Sequence, residues 1–168
     1  MPRRSPLFLL AALLALAGCS RPALPDTIVR AASAEELASF RADLGRSFPA
    51  DELQTFDTAL QELRLDALNR DVSPASAREA DVCAVVHGQT LHVVRLLGWQ
   101  ARQQRLRAEI AYLDGLLAQD LERQKLTPTQ NISDRIASAR EVLARLHRDL
   151  DATQAQLAAW QAPAPKGG

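Results

Sequence analysis

Residues 132–160 read ISDRIASAREVLARLHRDLDATQAQLAAW, and the spacing of their apolar side chains decides the fold. Ile132, Ile136, Ala139, Leu143, Leu146, Leu150, Thr153, Leu157 and Trp160 follow one another at alternating steps of four and three residues. On a helix of about 3.6 residues per turn, that rhythm draws one narrow stripe, the a/d seam of a coiled coil. A second stripe precedes it through His92, Leu96, Trp99, Gln103, Leu106, Ile110, Leu113, Leu117 and Leu121, with one extra four-residue step at its end. Between the two lies KLTPTQN, residues 125–131, polar and broken by Pro128. Two seams and a break predict an antiparallel, coiled-coil-like helical hairpin over residues 90–161.

Matching the seams end to end predicts a register. It sets Leu121 against Ile132, Leu117 against Ile136, Ile110 against Leu143, Leu106 against Leu146 and Leu96 against Leu157. His92 then stands beside Trp160 at the base. Val93, Val94, Leu97 and Ala101 lie off the seam, so the first turns of the first arm carry a second apolar face. Past Ala101 that face is mostly Arg, Gln and Glu, with Tyr112 and Leu116 as exceptions. The base of the hairpin is therefore expected to pack on other helices, with the tip in solvent.

Upstream, Ser33–Ala34–Glu35–Glu36 is a capping box that opens a short helix with Leu37, Phe40 and Leu44 on one face. Pro49, followed by Asp51 and Glu52, starts a second helix striped by Leu53, Phe56, Leu60, Leu63 and Ala67. Residues 76–86 end in VCAVV, which suits a short buried helix. A strand there would lack a pairing partner. Gly88 stops that helix, and Thr90 caps the first arm. At the second arm, Thr127 or Ser133 is the expected cap. With only 7 Gly and a Leu/Ala/Arg/Gln-rich chain, the expected class is all-α, short helices packed at the base of a long hairpin.

The N-terminus reads differently. Arg3 and Arg4 precede an apolar run over residues 7–16, too short for a permanent membrane helix, and then LAGC at residues 16–19. Basic region, apolar core and cysteine in this register resemble a bacterial lipoprotein signal with its lipobox. The resemblance implies cleavage before Cys19, acylation of Cys19 and attachment to a membrane through those acyl chains, facing the periplasm. Ser20 after the cysteine, by resemblance to enterobacterial sorting, favours the outer membrane. The expected organisation is a signal peptide over 1–18, a lipidated tether over 19–32, a small helical region over 33–89, the hairpin over 90–161 and a disordered tail over 162–168.

Residues 33 to about 102 also resemble a family of small helical Gram-negative lipoproteins of unassigned function, through FPADELQTFDTAL at residues 48–60 and the turn HGQT at residues 87–90. That family opens its last helix with Gly-Lys-Thr, where Gln89 replaces the Lys here. The last helix here also runs on into the hairpin. The resemblance implies an all-helical envelope lipoprotein and carries over no catalytic residue.

Residues able to do chemistry are sparse. The chain has 20 Lys and Arg against 20 Asp and Glu, and loss of Arg3 and Arg4 with the signal leaves a net charge of about −2. Aromatics are 4% without a stacking pattern, so nucleic acid is not an expected partner. His87 and His92 straddle Gly88 and a helix cap without a ligand beside them at metal spacing, and His147 sits among Arg145, Arg148 and Asp149. No Gly-rich phosphate loop, Gly-x-Ser-x-Gly or HExxH is present. Neither an enzyme nor a cofactor is expected. Cys83 reads as a small buried hydrophobe, the alternatives being an intermolecular disulfide or a reactive thiol. Trp99 and Trp160 both fall on the seam, where they pack a core or form an aromatic patch that contacts a partner. The function this suggests is binding or scaffolding in the cell envelope, with an unknown envelope protein or a second copy as partner. The alternatives are an accessory factor or inhibitor of an envelope enzyme, or an exclusion or stress lipoprotein.

Overall fold

A computed structural model describes residues 26–162. The signal segment, Cys19 and the tail beyond Ala162 lie outside the described residues. The described chain is all-α, with helices α1 (Ala34–Ser47), α2 (Ala50–Asn69), α3 (Ala75–Val86), α4 (Leu91–Leu126) and α5 (Gln130–Gln161). The α4 and α5 arms, 36 and 32 residues long, run about 54 and 48 Å at 1.5 Å per residue. They pack along each other as the hairpin, and α2 lies against the base of α4.

The helix ends follow from local chemistry. The Ser33 hydroxyl accepts from Glu36 N–H, while the Glu36 carboxylate accepts from Ala32 N–H. Pro49 precedes the first turn of α2, where Asp51 and Glu52 face the positive end of the helix. At its other end Asp71 takes a left-handed φ of 58°, with Asp71 N–H donating to Leu68 O and Val72 N–H to Ala67 O. That is a Schellman ending with Asp in the position Gly usually takes. Thr90 caps α4 by accepting from Val93 N–H. The cap of α5 is Thr129, which accepts from Ile132 N–H, and neither Thr127 nor Ser133. Ser133 instead turns its hydroxyl back onto Thr129 O. A three-residue connection leaves Thr129 as the last residue with extended backbone, the conformation a cap needs.

The tether ends earlier than its composition suggests. Thr27 to Ala31 lie extended against the α3–α4 turn, where Ile28 and Thr90 form an antiparallel bridge. Val29 N–H donates to Gln89 O, Gly88 N–H to Val29 O and Leu91 N–H to Thr27 O. Val29 and Ala31 are each 1% exposed, which makes them core residues. Gly88, at φ 75°, supplies the backbone turn that presents this edge.

Two cores result. The larger joins Val29, Leu37, Phe40, Phe56, Leu60, Val82, Val86, Leu91 and Val94 at the base. Phe40 and Phe56 meet edge to face at 6.2 Å. The smaller one lies within the hairpin and holds Leu106, Ile110, Leu143 and Leu146, flanked by Leu113, Leu117, Val142 and Leu150. Thr153, on the seam, is buried with its hydroxyl returned to Asp149 O at 2.7 Å.

The register needs correction away from that central cluster. Arg135 reaches Asp120 at 2.8 Å and Gln124 reaches Ser133 at 3.0 Å. Trp160 meets Trp99, with ring centroids 5.0 Å apart. All three contacts displace α5 in the same sense, towards the tip, and the two arms are nearly symmetric about Pro128. His92 is consequently not the neighbour of Trp160, since it lies two turns, about 10.5 Å of rise, before Trp99. A four-three stripe repeats itself every turn or so, and it matches equally well after such a shift. The short Thr127–Pro128–Thr129 connection settles which match is used.

Candidate functional site

Trp99 and Trp160, the two residues singled out for partner contact, are brought together. Their rings cross at 63°, and both are half-buried. Trp99 packs on the larger core as well, so the pair ties the last turn of α5 to the base. Edge-to-face rings at this spacing hold each other by their quadrupoles. This pair therefore closes the hairpin, and its partly exposed rim is what remains for an outside partner.

Beside the base, a groove of about 550 Å³ runs between the residues after the docked strand and α3, lined by Ala31, Ala32, Ala34, Glu79, Cys83 and His87. Cys83 and His87 are one helical turn apart and both face it. Their chemistry is restrained. Cys83 is a free thiol, 3% exposed, and burial pushes its pKa up, so the nucleophilic thiolate is disfavoured. His87 Nδ1 accepts from Ala31 N–H at 3.1 Å, which leaves the ring proton of the neutral imidazole on Nε2. Glu79 is taken by Arg64 through two bonds of 2.8 and 2.7 Å, and those bonds hold its pKa below the usual carboxylate range. Among the described residues no group of three or more His, Cys, Asp or Glu side chains is placed to hold a metal ion.

Charged groups that the spacing of apolar residues did not single out hold α4 onto α2. Glu62 is 5% exposed and receives two bonds from Arg105, at 2.9 and 2.7 Å, with Arg102 at 3.9 Å. Arg95, 8% exposed, bonds the Glu52 carboxylate and also Glu52 O at 3.2 Å. Gly98 lies between these two ion pairs, directly against Ala59, with no room for a side chain between the helices. The sequence signal for this crossing was available as Gly98 and Ala59, two small residues amid larger apolar ones.

Beyond Arg105, α4 leaves α2 behind. There the hairpin presents a shallow groove lined by Leu113, Leu116, Leu117, Ala139 and Val142, with Asp120 and Arg135 at its end nearer the tip. Tyr112, one turn from Leu116, is 67% exposed. A two-helix hairpin buries only its seam, so the residues flanking the seam stay half in water. The arrangement can bind an apolar surface. No described helix is long and apolar enough to cross a membrane. No protein family, curated protein or solved structure matches the chain.

Proposed function

We propose that this chain is a membrane-anchored lipoprotein of a bacterial envelope that serves as a binding or scaffolding component and not as an enzyme. Acyl chains on Cys19 hold it, facing the periplasm, with Ser20 favouring the outer membrane. Two or more chains anchor firmly, at about 0.8 kcal/mol per buried CH2. The observation that carries the contact role is the outer half of the hairpin, where Leu113, Leu116 and Val142 line a groove that no other described element covers. The docked strand supports the anchoring geometry. From Cys19 to Thr27 the chain can span at most about 29 Å, so the folded base stays close to whatever holds Cys19.

Two measurements test the reading. Cys19→Ala is expected to abolish palmitate incorporation and to release the protein from the membrane fraction. Retained labelling would overturn the anchor. A photo-crosslinking amino acid at Val142 is expected to give a defined adduct in cells, and one at Ala111, on the opposite flank of α4, is expected to give none. Equal yields at both positions would remove the hairpin face as the contact surface.

A further inference from the structure

We infer that His87 is a pH-sensitive latch on the strand over residues 27–31: its neutral imidazole holds the last backbone N–H of the strand, and protonation of the ring lets the strand open. The latch rests on the fold alone. Its consequence for reach rests on the anchor proposed above.

Bonds between backbone atoms hold the first part of the strand. They run from Leu91 N–H to Thr27 O, from Val29 N–H to Gln89 O and from Gly88 N–H to Val29 O, and none of them titrates. The end of the strand is held differently, by Ala31 N–H donating to His87 Nδ1 at 3.1 Å. A ring nitrogen accepts only while it carries no proton, and in the imidazolium both nitrogens are donors. Protonated His87 therefore sets one N–H against another, and the bond is lost. Ala31 is 1% exposed, so water cannot replace the missing acceptor while the strand stays docked. His87 itself is exposed and takes its proton directly from solvent. It also stands one residue before Gly88, so the latch sits on the turn that presents the docking edge.

The charged and titratable groups of the elements around His87 are few. Cys83 and Glu79 of α3 share its groove, and Arg64 of α2 holds Glu79. At the start of α1, Glu36 accepts from Ala32 N–H, and Glu35 is held by Ser33 and by its own N–H. Asp26 precedes the strand, and Arg30 within it is turned to Asp43. Carboxylates ordinarily titrate below about pH 5 and thiols above about pH 8, and burial moves Cys83 further up. Imidazole is the side chain whose charge ordinarily changes between those limits. His92, on the first turn of α4, is the second imidazole of the base, and the variants below separate the two.

While the strand is docked, the chain leading from Cys19 is fixed at Thr27, after at most about 29 Å. An open strand moves the fixed point to Ser33, the cap of α1, and the reach rises to about 50 Å. Mild acid thus lengthens the leash of the base without unfolding a helix.

Hydrogen exchange of the full-length chain in a non-ionic detergent tests the latch. The Val29 and Ala31 amides are followed at pH 7.5 and pH 5, each corrected for the intrinsic exchange rate at that pH. The Val86 amide, in the buried end of α3, serves as reference. Protection of Val29 and Ala31 is expected to fall at least threefold at pH 5, with Val86 unchanged. His87→Asn keeps an acceptor oxygen in the place of Nδ1 and does not titrate, so it is expected to lose the pH dependence. His87→Phe removes the acceptor, and its strand is expected to be weakly protected at both pH values. A wild-type strand equally protected at both values would overturn the latch. So would a fall that persists in His87→Asn, or one that Val86 shares. Palmitate labelling reads the anchor and exchange reads the latch, so either can fail without the other.

Discussion

Gly98 is seated directly on Ala59. A Cβ added to Gly98 would stand 2.4 Å from the Ala59 Cα and 2.6 Å from its Cβ, so the missing methyl group is what lets α4 and α2 cross there. Ala59 is fully buried, and the atoms in the way are backbone and a methyl that cannot swing aside. Gly98→Ala is expected to force the helices apart and cost about 1–3 kcal/mol. Gly115 on the same helix meets nothing within 4 Å, so Gly115→Ala is expected to stabilise by about 0.5–1 kcal/mol through helix propensity alone. Urea unfolding of the two variants checks the pair, and a stable Gly98→Ala protein would contradict the crossing.

Glu62 anchors the same crossing by charge. Removing its carboxylate leaves Arg105 and Arg102 facing a buried site, though both are still about 30% exposed and keep some water. Glu62→Gln is accordingly expected to cost about 1.5–3 kcal/mol, the range of a hydrogen bond to a charged group. A double-mutant cycle with Arg105→Gln should recover part of that loss. Strict additivity would mean that the two side chains do not stabilise each other.

Trp160 closes the hairpin against Trp99. Trp160→Ala is expected to fray the last turn of α5 and cost about 1.5–3 kcal/mol, less than for a fully buried ring. The emission of the remaining Trp99 should shift to longer wavelength as water reaches it. An unshifted spectrum would place Trp99 entirely within the larger core.

Acid should weaken the α2–α3 contact. Arg64 holds the pKa of Glu79 below its ordinary value, so the folded state binds that proton less readily than the unfolded chain. The stabilisation is present above the usual carboxylate range and is lost as pH falls through the lowered value. Glu79→Gln is expected to lose less than about 1 kcal/mol at neutral pH, because the pair is partly exposed. Its stability should also fall less steeply than the wild type's between neutrality and pH 3. Parallel profiles would remove Glu79 as a source of the acid dependence.

Much of the fold was legible where the cause is local. The Ser33 and Thr90 caps, the Pro49 start and the two seams each depend on residues within a turn or two of one another. The docking of Val29 and Ala31 was not legible, because a short run after two prolines becomes a core strand only when residues 88–91 present an edge to it. Gly98 was not singled out in the sequence, since its value lies in Ala59, far away along the chain. The expected pairing failed at the ends of the hairpin, where the seam pattern is degenerate by one turn and the connection decides. The Trp99–Trp160 pair was singled out as two seam residues, and only the corrected register brings them face to edge.

The strand at residues 27–31 also decides how the molecule bears load. Whatever grips the chain before Thr27 pulls first on three backbone hydrogen bonds to the α3–α4 turn. The bond from Leu91 N–H to Thr27 O is the first of these, so tension applied before Thr27 is expected to reach the α4 arm there before it reaches α1. A force at the hairpin tip returns by the same arm. The base helices then act as a clamp around a single continuous strut.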